Sequence, residues 1–87
     1  MDTKESEVGD VYNSAIAAVL RARKAELRLT FDDIEAATGI GVQTLKRLIN
    51  DQRSIHMGHF IKIVAALDLD AAEVVQAAAA RVEKTAS

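Results

Sequence analysis

Residues 29–54 read LTFDDIEAATGIGVQTLKRLINDQRS. Thr30 is a good helix N-cap, Asp32 and Asp33 suit the positive end of a helix dipole, and Ile34 and Ala37 point inward before Gly39 ends the segment. The expectation is a short helix from about Phe31 to Thr38. Gly39-Ile40-Gly41 is too short for a surface loop and Ile40 is too apolar for full exposure, so this tripeptide reads as a tight turn with one inward residue. From Val42 to about Ile49 helical spacing resumes, with Leu45, Leu48 and Ile49 on one apolar stripe.

Outward from this pair the same periodicity continues. Tyr12, Ile16, Val19, Leu20 and Leu27 recur at helical spacing between about Asp10 and Leu27, with Tyr12 as a partly buried aromatic. After a polar turn at Asn50 to Ser54, Phe60, Ile63, Val64 and Leu67 mark a helix from about Met57. Asp70 caps a last one in which Val74, Val75, Ala78 and Val82 share a face. Proline is absent and aromatics are 3%, a composition that favours helices over a pleated sheet. The predicted fold is all-α, a compact bundle of about five helices. Its domain covers residues 10–83, between a flexible acidic N-terminus at 1–9 and a frayed C-terminus at 84–87.

With 87 residues there is room for one core, and 49% hydrophobic residues suffice to build it. Cysteine is absent, which rules out a disulfide framework and thiolate metal sites. The opening MDTKESEVGD lacks the apolar run of an export signal, and no segment has the roughly 18 apolar residues of a membrane span. The expectation is a cytoplasmic protein.

The net charge is −2, yet it is distributed unevenly: −3 over residues 1–20, +3 over 21–62 and −2 over 63–87. A basic middle of this kind hints at an anion-binding face. Two short helices joined by a glycine turn form the helix-turn-helix plan, whose second helix enters the DNA major groove. Once the apolar stripe of that helix is buried, Gln43, Lys46, Arg47 and Asn50 are left on the opposite face, spaced i, i+3, i+4, i+7. All four bear donors that read bases or clasp phosphates, and none is acidic. Arg53 and the Arg21-Arg23-Lys24 cluster add cations beside them.

Leu29, Thr30, Ile34, Gly39, Ile40 and Leu45 stand at the spacing of the lambda-repressor-like family of phage Cro and repressor proteins, which residues 14–76 resemble as a whole. The resemblance implies a DNA-binding transcriptional regulator, a Cro-like or other repressor of phage or bacterial type occupying an operator on double-stranded DNA. By the same resemblance Val42, Gln43, Lys46 and Arg47 are the base-contacting residues. Thr44 and Asn50 match phosphate-holding positions, and Thr30 and Phe31 offer backbone amides to another phosphate. Arg53, Arg23 and Lys24 are further phosphate candidates.

Three features depart from the family pattern. Glu35 replaces an alanine, and either snorkels outward or captures Arg47 or Lys46, which would compromise base reading by Arg47. Asp51 replaces a glycine and Ile49 a frequent glutamate, so the exit from that helix is expected to differ in shape. The segment before residue 14 lies outside the pattern.

His56 and His59 are close enough to share a metal, but they lack a third ligand and read as surface or capping residues. Neither a phosphate loop nor a nucleophile motif occurs, so no enzyme activity, cofactor, metal or small-molecule ligand is expected. The face of Val74, Val75, Ala78 and Val82 either closes the core or forms the seam of a homodimer. A function of another class, a small helical adaptor binding an acidic protein partner, is the alternative to DNA binding.

Overall fold

Five helices form among the described residues, and no strand: α1 (Thr3–Leu27), α2 (Phe31–Thr38), α3 (Val42–Ile49), α4 (Met57–Ala66) and α5 (Ala71–Ala86). The computed structural model describes the backbone of residues 3–86 and the side chains of residues 9–84.

Local chemistry accounts for most helix ends. The Thr30 hydroxyl accepts from the Asp33 N–H while the Asp33 carboxylate accepts from the Thr30 N–H, a capping box that starts α2. Gly39 ends it in the left-handed conformation, with φ of 78°. His56 Nδ1 accepts from the His59 N–H to start α4, and Asp70 Oδ1 accepts from the N–H groups of Ala72 and Glu73 to start α5. α1, α3 and α4 share one way of stopping. Arg28, Asp51 and Asp68 adopt φ of 55°, 60° and 55°. The next N–H then turns back to a carbonyl: Leu29 to Lys24, Gln52 to Arg47 and Leu69 to Val64. This is the Schellman arrangement, made here without glycine.

α1 lies along α5 and touches α3, α2 crosses α3 and α4, and α4 meets α5. Between them Leu20, Ile34, Leu45, Leu48, Ile49, Ile63, Leu67 and Val74 are shut off from solvent, and Ile40 fills the side of the core at the turn, as its apolar character required. No described polar or charged residue is buried with them. Hydrophobic burial therefore fixes the α2–α3 pair without help from internal ion pairs.

Several sequence expectations need correction. Both terminal helices exceed the 10–83 limits, because α1 is helical from Thr3 and α5 runs to Ala86. The apolar stripe that marked α1 begins at Tyr12, whereas Lys4, Glu5 and Glu7 are helix formers with no stripe to show. Residues 1–2 and 87, the rest of the termini expected to fray, lie outside the described residues. Ala37 is exposed, and Thr38, one turn beyond Ile34, is turned inward. The Thr38 hydroxyl donates to the Ile34 carbonyl and accepts from the Ile40 N–H. Tyr12 and Leu27 are each 37% exposed. Val75 is 48% exposed while Val74 is buried, because the two lie about 100° apart on α5 and only Val74 is turned into the core. Val74 and Ala78 close the core, so the seam imagined on α5 retains only Val75 and the half-buried Val82.

Candidate nucleic-acid interface

α3 is two turns long, and its two faces divide cleanly. Leu45, Leu48 and Ile49 are buried, while Gln43, Lys46, Arg47 and Asn50 are exposed, and Val42 and Thr44 stand half-buried at the boundary. The side chains of Gln43, Lys46, Arg47 and Asn50 make no hydrogen bond or ion pair with any described residue. A row of unspent donors on a helix clamped from behind is a surface prepared for an external acceptor.

Both ends of α3 are held by side chains from other helices. Its N-cap, Gly41, has no side chain to offer, and Glu35 of α2 supplies the missing acceptor, its Oε2 taking the Val42 N–H at 3.0 Å. Glu35 is therefore neither snorkelled away from the protein nor paired with Arg47 or Lys46, and both cations stay available. At the other end Arg21 of α1 donates to the Ile49 carbonyl at 2.7 Å, placing a cation at the negative end of the helix dipole. Beyond Ile49, the left-handed Asp51 takes the conformation a glycine would adopt, so the exit keeps the ordinary Schellman shape despite the substitution. Its carboxylate accepts from Asn13 Nδ2 at 2.9 Å and from the Ser14 hydroxyl. Asn13 Oδ1 in turn accepts the Ile55 N–H at 2.9 Å. The loop from α3 to α4, which carries Arg53, is thereby strapped to α1.

The pattern of the helix-turn-helix family matches residues 19–74, from the middle of α1 to the first turn of α5. The chain belongs to the Cro/C1-type helix-turn-helix family. No curated protein and no solved structure matches it. This helix-turn-helix protein is a DNA-binding regulator, the role of the family to which it belongs. No helix among the described residues is long and apolar enough to cross a membrane.

Arg21, Arg23 and Lys24, the cations among the described side chains of α1, are engaged inside this helix-turn-helix domain. Arg23 Nε donates to the Leu67 carbonyl at the end of α4, and its guanidinium lies 4.0 Å from Glu26. The Lys24 ammonium sits 4.2 Å from the centre of the Phe31 ring. With Arg21 they tie α1 to the ends of α3 and α4 and the start of α2, and lend the exposed face of α3 only their charge. Of the two amides expected to greet a phosphate, that of Thr30 is spent on Asp33, and Phe31 keeps the unengaged one. The hydrogen bonds from the Thr30 backbone and side chain, aided by nearby Lys24, hold the Asp33 carboxyl below its ordinary pKa. Thr44, Asn50 and Arg53 stand on or beside α3 with their side chains free of hydrogen bonds.

His56 and His59 stack with ring centres 3.8 Å apart, His56 serving as the cap of α4. No group of three or more metal-ligating side chains forms among the described residues. Sequence reading missed the parts played by Arg21, Asn13 and Ser14. A basic residue beside the buried Leu20 and a polar pair at the edge of the α1 stripe were the available signals.

Proposed function

We propose that the protein is a sequence-specific transcriptional repressor of the phage or bacterial type, which lays α3 in the major groove of an operator and excludes polymerase by occupancy. One observation carries this reading: the outward face of α3 presents Gln43, Lys46, Arg47 and Asn50 unspent, while both ends of the helix are fixed. Gln43 pairs with adenine and Arg47 with guanine, Lys46 reaches a base edge one turn along, and Val42 meets a thymine methyl. The Phe31 amide, Thr44, Asn50 and Arg53 hold phosphates and set the register. Arg23, Lys24 and Thr30 assist from behind, by charge or by capping.

The test is selection of random duplex fragments by purified protein at near-physiological salt, followed by sequencing. A single enriched motif supports the reading, and its symmetry reports whether one or two protomers occupy it. For Z neutralised phosphates, log affinity for the selected duplex falls against log salt with a slope of about −0.9Z. No motif from folded protein, and no tight duplex binding at any salt, would reject the reading in favour of a protein-binding adaptor.

A further inference from the structure

Glu35 does more at the start of α3 than close its first turn. The helix itself contributes no acid, and its outward residues are cations and amides. The carboxylate arriving from α2 is therefore an acceptor-only group set among donors. Only one of its oxygens is occupied: Oε2 takes the Val42 N–H, and Oε1 has no partner among the described residues. Glu35 is exposed, Gly41 has no side chain to cover it, and a Cβ built at Gly41 would still lie 3.9 Å from Oε2. Its carboxylate thus stands uncovered beside Val42 and Gln43, at the N-terminal end that a helix-turn-helix protein turns toward base edges.

We infer that Glu35 is a specificity-determining residue, whose free carboxylate oxygen accepts from the exocyclic amino group of a cytosine or adenine in the major groove and rejects guanine and thymine there. The inference rests on the reading of α3 as the base-facing helix. Cytosine N4 and adenine N6 are the only major-groove amino donors, whereas guanine O6 and N7 and thymine O4 are acceptors that a carboxylate repels. Rejection contributes as much as attraction, because an acceptor pressed against an acceptor loses its water without gaining a hydrogen bond. The Val42 N–H bond restrains the side chain in advance, so little freedom remains to be lost on binding. The carboxylate also disfavours a phosphate at this helix end, which directs the N-terminus of α3 toward bases.

The experiment is the duplex selection run in parallel on wild type, Glu35→Gln and Glu35→Ala, with melting curves to confirm that each is folded. Glu35→Gln keeps an oxygen for the Val42 N–H but loses the charge and gains donors, so the start of α3 survives even if the alanine variant is weakened. In the wild-type motif one position prefers cytosine or adenine by about tenfold. Glu35→Gln admits guanine at that position and leaves the rest of the motif as it was. An unchanged motif in Glu35→Gln overturns the inference. So does a uniform loss of affinity over all sequences, which is what a cap alone would produce. If wild type itself selects no motif, the base-reading role of α3 falls first and this inference with it.

Discussion

Asn13→Ala cuts the strap between α1 and the exit of α3 at its centre. Asn13 makes two hydrogen bonds there, donating to the Asp51 carboxylate and accepting the part-buried Ile55 N–H. At a net ~1 kcal/mol each the loss is ~2 kcal/mol, since exposure to water keeps the bond to Asp51 below the usual range for charged partners. Alanine is the better helix former inside α1 and returns about 0.5 kcal/mol. The expected destabilisation is ~1.5 kcal/mol, a drop in melting temperature of about 6–12 °C for a domain of this size. Urea denaturation and thermal melts followed by circular dichroism measure it. Asp51→Ala, alone and with Asn13→Ala, closes a double-mutant cycle, and the strap requires a coupling of about 0.5 kcal/mol or more. A melting point within 2 °C of wild type, or additive effects in the cycle, would refute the strap as a stabilising link.

Asp68→Gly relieves a left-handed residue whose side chain makes no hydrogen bond, and should stabilise the fold by about 0.5–1 kcal/mol in urea titrations. Asp51→Gly grants the same relief but loses Asn13 and Ser14, so a gain there would contradict the clamp. Leu48→Ala empties a fully enclosed site behind the exposed face of α3 and should cost about 2–5 kcal/mol, read from the denaturation midpoint. His59 is held below its ordinary pKa first by desolvation of its ring and then by nearby His56, Arg53 and Lys62. The unfolded chain therefore binds a proton that the folded chain refuses. Stability is full above the ordinary histidine value of about 6.5 and declines as pH falls below it. Urea midpoints at pH 7.5 and 5.5 should differ in that sense, and by less in His59→Gln.

The α2–turn–α3 core was legible because each of its signals is local. Thr30 and Asp33 are three residues apart, Gly39 needs no partner to turn, and the stripe of Leu45, Leu48 and Ile49 declares its own buried face. What escaped was decided at long range. Asn13 meets Asp51 across 38 residues, and Arg21 meets the Ile49 carbonyl across 28. No periodicity encodes such pairs. Glu35 was recognised as out of place, but its nearest acceptor-hungry group was a backbone N–H seven residues on, where the sequence drew the eye to two cations. Val75 was misplaced because an alanine-rich helix has little contrast between its faces. The residues proposed to face DNA came by subtraction, as the donors left once the stripe was buried, and the exposure of Gln43, Lys46, Arg47 and Asn50 follows from that same stripe.

The most direct test of α3 as the reading helix is the affinity of Arg47→Ala relative to wild type for the selected duplex and for a scrambled duplex of equal length, measured by fluorescence anisotropy at one salt concentration. The exposed Arg47 side chain makes no hydrogen bond or ion pair inside the fold, so its loss should leave the melting temperature alone. The expected cost is ~1–3 kcal/mol, or about 5- to 150-fold, on the selected duplex and far less on the scrambled one. Equal affinities of Arg47→Ala and wild type for the selected duplex would contradict the account.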